Sequence, residues 1–138
     1  MEVNNEETIN KPLYLKTFNN QFQELLDDID RIIPNNIDII TMRNSLNNLK
    51  RMNPKLILTM WYSYVVVPYN KQIELDDYEF FIEKDYKTDL EGYKHEKIIL
   101  SAIDRMREIV RALDEKNKKY TLQYIKNLCE LSKIYSNS

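Results

Sequence analysis

The chain has 138 residues, enough for one domain with a buried core, and 43% hydrophobic with 30% charged residues excludes a disordered polymer. Lys+Arg 20 against Asp+Glu 22 leaves a net charge of -2, so no global basic field points to nucleic acid or an acidic membrane. The single glycine, Gly92, argues against sheet-rich folds, which need glycine at hairpins and bulges, and against glycine-rich phosphate loops.

Residues 1–12 are polar and aperiodic and read as a flexible N-terminal tail, with the helical domain spanning 13–138. From Leu13 to Ile33 the apolar positions Phe18, Phe22, Leu25, Leu26, Ile29, Ile32 and Ile33 recur at three- and four-residue spacing, one face of an amphipathic helix. Pro34-Asn35-Asn36 stops it. A second helix is predicted from about Asp38 to Met52, with Ile39, Met42, Leu46 and Leu49 on its face. Asn53-Pro54 then supplies an N-cap and a first-turn proline for a third helix, Lys55 to about Val67. This third helix is apolar on nearly every side, which suits a central position. Val65-Val66-Val67 has strand propensity, but Pro68 follows and no partner strand is evident, so the helical reading is kept.

A short helix is expected over Tyr69 to Leu75, then another capped by Asp76 or Asp77 and holding Phe80, Phe81 and Ile82. Asp85 to Gly92 reads as a polar connection. A long helix follows from about Tyr93 to Leu113, with Ile99, Ile103, Met106, Val110 and Leu113 as its stripe. Asp114 caps the last helix, Glu115 to about Tyr135, whose stripe is Tyr124, Leu128, Leu131 and Tyr135, widened by Ile125. The expected fold is all-α: a compact single-domain bundle of about four long and two short helices.

No run approaches the ~18 apolar residues of a membrane span, and no apolar run follows a basic N-terminal segment, so neither an anchor nor a secretory leader is expected. The lone Cys129 cannot close an internal disulfide, which suits an intracellular, reducing compartment, and it reads as a packing residue. His95, the one histidine, lies between Lys94 and Glu96 and reads as solvent-exposed. Without further nitrogen or sulfur ligands near it, a zinc site is not expected. The acidic run Asp76, Asp77, Glu79, Glu83, Asp85 and Asp89 does not have the spacing of a calcium loop; it reads as caps and a solvated face, with a Mg²⁺-dependent enzyme or a docking surface for a basic partner as lesser alternatives. No catalytic, metal or cofactor residue is therefore assigned, and the chain is expected not to be an enzyme.

Two basic clusters, Lys50-Arg51 with Lys55 and Lys116 with Lys118-Lys119, lie near helix ends. They carry an alternative reading as a nucleic-acid-binding accessory protein, which needs both clusters to converge in space. Lys97, Arg105, Arg107 and Arg111 lie along the long helix, interleaved with Asp104 and Glu108, a pattern of intrahelical pairs. The aromatic set is denser: Trp61, Tyr62, Tyr64, Tyr69, Tyr78, Phe80, Phe81 and Tyr86 crowd one stretch. Adjacent positions on a helix point about 100° apart, so Trp61-Tyr62 and Phe80-Phe81 cannot all face one core. Tyr62, Tyr69, Tyr78, Phe81 and Tyr86 are accordingly the candidate interface for a protein partner or a second copy.

The run Asn53-Pro54-Lys55-Leu56-Ile57, Trp61, Tyr64-Val65, Tyr69, Ile73, and Asp77 through Phe80-Phe81 to Lys84-Asp85-Tyr86 resembles small helical proteins of nucleocytoplasmic large DNA viruses. The resemblance extends from Phe18-Asn19-Asn20-Gln21-Phe22 to Asn127-Leu128, Leu131 and Tyr135. It implies a giant-virus origin and carries over no catalytic residue. A composition rich in Asn, Ile and Lys, with 10 tyrosines, is compatible with an AT-rich source. Taken with the aromatic set, the expectation is a non-enzymatic viral protein working through protein contacts, as a virion component, an assembly or replication-compartment factor or a modulator of a host protein. Its expected place is the infected cytoplasm, the virus factory or the virion.

Overall fold

The computed structural model describes residues 2–77, 79–83, 104–105 and 107–137. Among them every regular element is helical: α1 (Glu2–Ile32), α2 (Ile37–Met52), α3 (Leu56–Trp61), a π-helical turn continuing it (Tyr62–Val66), α4 (Asn70–Glu74), α5 (Glu79–Glu83) and α6 (Glu115–Ser136). Residues 107–111 form a further helical stretch ahead of α6. Short polar side chains set several boundaries, and of the α2 and α6 caps the sequence reading named only Asp114. Asn35 sits at φ 64 in the turn after Pro34, a left-handed conformation that asparagine tolerates. The Asn36 side chain accepts from Ile39 N at 3.2 Å to start α2. Asp114 accepts from Asn117 N at 2.9 Å to start α6.

Two boundaries differ from the sequence reading. Helix α1 begins at Glu2, so residues 2–12 are helical here, and Pro12 lies inside the helix. The acidic residues of this segment suit the positive end of a helix dipole, which favours helix where low hydrophobicity alone suggested a tail. At the other junction, Asn53 accepts from Lys55 N at 3.1 Å, closing an Asx turn, and α3 begins only at Leu56.

The third helix is central, as its composition implied. Ile57, Leu58, Met60, Trp61, Val65 and Val66 are buried, while Lys55, Thr59, Ser63 and Val67, four residues apart, form its exposed edge. Val65–Val67 is helical rather than extended, but the turn is widened: Val67 N donates to Tyr62 O at 2.9 Å, five residues back. Pro68 offers no N–H to continue an α ladder, so the helix ends at this turn.

One buried cluster joins all the long helices. At its centre Phe18 and Phe22 stack at 6.2 Å, and Phe22 meets Trp61 edge-on at 6.3 Å and 84°. Helix α6 lies along α1, antiparallel: Lys11 Nζ sits 4.7 Å above the Tyr135 ring, Asn127 donates to Gln21 Oε1 at 3.3 Å, and Tyr124 donates to Asp28 Oδ2 at 2.8 Å. The buried face of α6 is Thr121, Ile125, Leu128, Cys129, Ser132 and Tyr135, with Tyr124 and Leu131 half-buried at its margins, so the stripe is rotated slightly from the expected one. Ile32, counted in the α1 stripe, is exposed at the bundle edge.

Ion pairs tie elements together. Arg43 on α2 forks onto Asp27 (2.6 Å) and Asp30 (3.1 Å), one turn apart on α1. Arg107 pairs with Asp104, three positions earlier, at 2.9 Å, as the alternating pattern suggested. Arg105 and Arg111 instead reach Asp38 (2.9 Å) and Glu83 (3.4 Å) on other elements.

The Tyr124–Asp28 bond makes a measurable contribution. Burial first, then the hydrogen bond to Asp28, pushes the phenol from 10.0 up to about 12. Because the folded value is the higher one, the stabilisation is whole below pH 10 and is lost as pH rises from 10 to 12. Tyr124→Phe is expected to lower stability by about 1 kcal/mol at pH 7. Urea denaturation at several pH values should show the gap to the unsubstituted protein closing above pH 10; a gap that stays constant would mean that the phenol titrates alike in both states.

Candidate interaction groove

The structure distributes the sequence-derived candidates unevenly. Trp61 is buried, and Tyr62, Tyr64, Tyr69 and Phe80 are half-buried against the core, with Tyr69 and Phe80 in ring contact at 5.3 Å. Trp61 and Tyr62 do diverge as their helical spacing requires. Tyr78, Tyr86 and the Phe81 side chain lie outside the described residues, as do His95, Lys97, Asp85 and Asp89. Among the described residues the most exposed large apolar side chains are mainly aliphatic, Ile37 at 78%, Met52 at 77%, Leu75 at 70%, Leu13 at 57% and Val67 at 56%, with the Tyr120 ring at 62%.

The two basic clusters do not converge. Asn19 of α1 donates to Pro54 O at 3.0 Å, which places Lys50, Arg51 and Lys55 beside the middle of α1. The antiparallel run of α6 places Lys116, Lys118 and Lys119 beyond the Tyr124–Asp28 contact, at the far end of α1. Counted along the helices, they are roughly 20 Å apart. Lys50 borders only a crevice of about 10 Å³ between α1 and α2, space for a single water. In the acidic stretch, Asp76 is held at φ 56 and pairs with Lys126 at 3.7 Å, while Asp77, Glu79 and Glu83 are exposed. Among the described residues no group of His, Cys, Asp or Glu is arranged to hold a metal ion. No described helix is long and apolar enough to cross a membrane.

Cys129 is fully buried, and burial pushes its thiol up to about 12. Its neighbour is the Trp61 indole, whose Nε1–H has no conventional hydrogen-bond partner and leans on the sulfur too loosely for a regular bond. A protonated, enclosed thiol is a packing group and not a nucleophile.

Among the described residues, a groove of about 320 Å³ lined by Tyr62, Val66, Val67, Asn70, Lys133 and Asn137 has the size of a ligand site. Its construction follows from the chain. The π turn shifts Tyr62 and Val66 to one wall, Pro68 redirects the backbone, and α4 begins at Asn70 to form the rim. The last turn of α6 supplies Lys133 and Asn137 opposite. Asn70 is oriented at both ends of its amide: Oδ1 accepts from Lys133 Nζ at 3.4 Å, and Nδ2 donates to Glu74 at 3.0 Å. No described carboxylate pairs with the half-buried Lys133. The groove therefore offers an aliphatic strip, a phenol, an amide and a cation within one hollow.

Of these six residues the sequence reading singled out only Tyr62. Lys133 and Asn137 lie more than sixty positions further on, and nothing local marks them as its neighbours; the single available signal was Pro68 closing an apolar helix. Comparison with protein-family models, curated proteins and solved structures finds no match to this chain.

Proposed function

We propose that this protein is non-enzymatic and acts by binding a partner protein across the face that holds the Tyr62 groove. The observation that carries this reading is the groove itself, a hollow of about 320 Å³ with Val67 exposed at its lip and Tyr62 on its wall. Concave sites that mix apolar surface with a few convergent polar groups are where binding energy concentrates. π turns recur at functional sites, since they trade backbone regularity for side-chain placement. We further propose, from the resemblance of the packing residues to small helical giant-virus proteins alone, an infected-cell setting such as a virion or a replication compartment; the resemblance adds no residue to the site.

The test is differential. Val67→Asp introduces a charge at an exposed position and should leave the fold intact. Affinity capture from the source cells should retain a defined protein on the unsubstituted chain and lose it at least tenfold on the variant. Light scattering of the pure protein decides whether that partner is a second copy. Equal capture by both chains, together with a strict monomer of unchanged fold, sinks the proposal.

A further inference from the structure

We infer that the groove recognises a carboxylate: the side chain of an aspartate or glutamate that the partner presents between aliphatic residues. The inference rests on the partner-binding reading above and assigns its chemistry. Among the described residues Lys133 is the one cation lining the groove, and no described carboxylate pairs with it. Its one hydrogen bond goes to the neutral Asn70 Oδ1, which leaves two ammonium donors for a ligand. Tyr62 and Asn137 line the same hollow, and their side chains make no hydrogen bond among the described residues. One cation with two neutral donors matches the charge and acceptor count of a monoanion. A phosphate dianion fits poorly. Lys133 lies in the last turn of α6, at the negative end of that helix, Glu74 stands behind Asn70, and no arginine lines the groove to supply a second charge. The exposed Val67 side chain, with Val66 buried beneath the groove, suits an apolar residue flanking the acid.

Asn70 has a defined part in this site. Its amide is fixed by Glu74 on one side, so Oδ1 holds the Lys133 ammonium toward the hollow and not along the flexible surface. Lys133 is thereby preorganised, and less side-chain freedom is lost when the anion binds.

The test uses the whole protein and short capped peptides carrying one glutamate between valines, or glutamine in its place, followed by amide and side-chain NMR shifts. Saturable shifts at Tyr62, Asn70, Lys133 and Asn137 are expected with the glutamate peptide. Binding should weaken about tenfold with the glutamine peptide and to a similar degree in Lys133→Gln, while Lys133→Arg stays within a few-fold of the unsubstituted chain. Unchanged circular dichroism confirms that the variants fold. Equal binding of the two peptides, or no saturable shift, overturns the inference. Acetate binding as tightly as the glutamate peptide overturns the protein side chain as the occupant. If Val67→Asp abolishes partner capture and Lys133→Gln does not, the carboxylate inference alone fails and the groove remains the partner surface.

Discussion

Trp61→Ala is expected to destabilise the protein by about 3–5 kcal/mol. The indole is 5% exposed, lies edge-on against Phe22, and belongs to the aromatic row that begins at Phe18. It also backs onto Cys129 from the end of α3, where the π turn begins, so it fills the junction of α1, α3 and α6. Removing the ring from this packed junction leaves a cavity, and cavity terms add to the lost transfer energy. Trp61→Phe should lose much less, about 1–2 kcal/mol, because the edge-on contact survives and the indole N–H gives up no conventional hydrogen bond. Urea denaturation of the three proteins at 25 °C measures both. Domains of this size have roughly 5–15 kcal/mol of stability in total, so the alanine variant should be visibly closer to its midpoint. A loss below about 1 kcal/mol would mean that the ring is not a core residue.

What the sequence discloses divides along a physical line. Local signals were legible: Asp114 caps α6 because a short side-chain acceptor before an apolar period satisfies orphan N–H groups, and the same chemistry at Asn36, read only as part of the stop after α1, caps α2. The α2 face of Ile39, Met42, Leu46 and Leu49 is buried as its spacing requires. Helicity at Val65–Val67 followed from Pro68, against the strand propensity of three valines, because propensity is a weak prior beside the absence of a partner strand. Signals that depend on distant residues were hidden. Arg43 reaches across to Asp27 and Asp30, and Arg105 to Asp38, pairings that no window of α2 or of residues 104–111 contains. The site shows the same split. Divergence of Trp61 and Tyr62 is a property of one helix and was anticipated; the groove that receives Tyr62 needs the register of α6 against α3, and the sequence does not show that. Nor did composition reveal that Tyr69 and Phe80 would pack on each other and leave Val67 and Leu75 as the exposed apolar residues nearby.

Arg107→Met is the second substitution with a large expected effect, about 3–5 kcal/mol, for an electrostatic reason. The Asp104 and Arg107 side chains are only 9% and 10% exposed, and Arg107 donates to Asp104 Oδ1 through Nη2 at 2.9 Å and Nε at 3.2 Å. Removing the guanidinium leaves a carboxylate with little access to water and without its charge partner. Replacing both residues by apolar ones, as Asp104→Leu with Arg107→Met, should recover most of the loss, because the burial of two charges is itself expensive and disappears with them. Arg107 also reaches Glu83 O at 3.4 Å, so part of the single-variant loss reflects a looser α5 and not the ion pair. The double-mutant cycle separates the two contributions, since the Glu83 contact is lost equally in the single and double Arg107 variants. A coupling of about 2 kcal/mol or more is expected from the four denaturation curves. Additive losses, with the double variant as unstable as the two singles summed, would show that Asp104 is solvated in solution and that this ion pair is a surface contact.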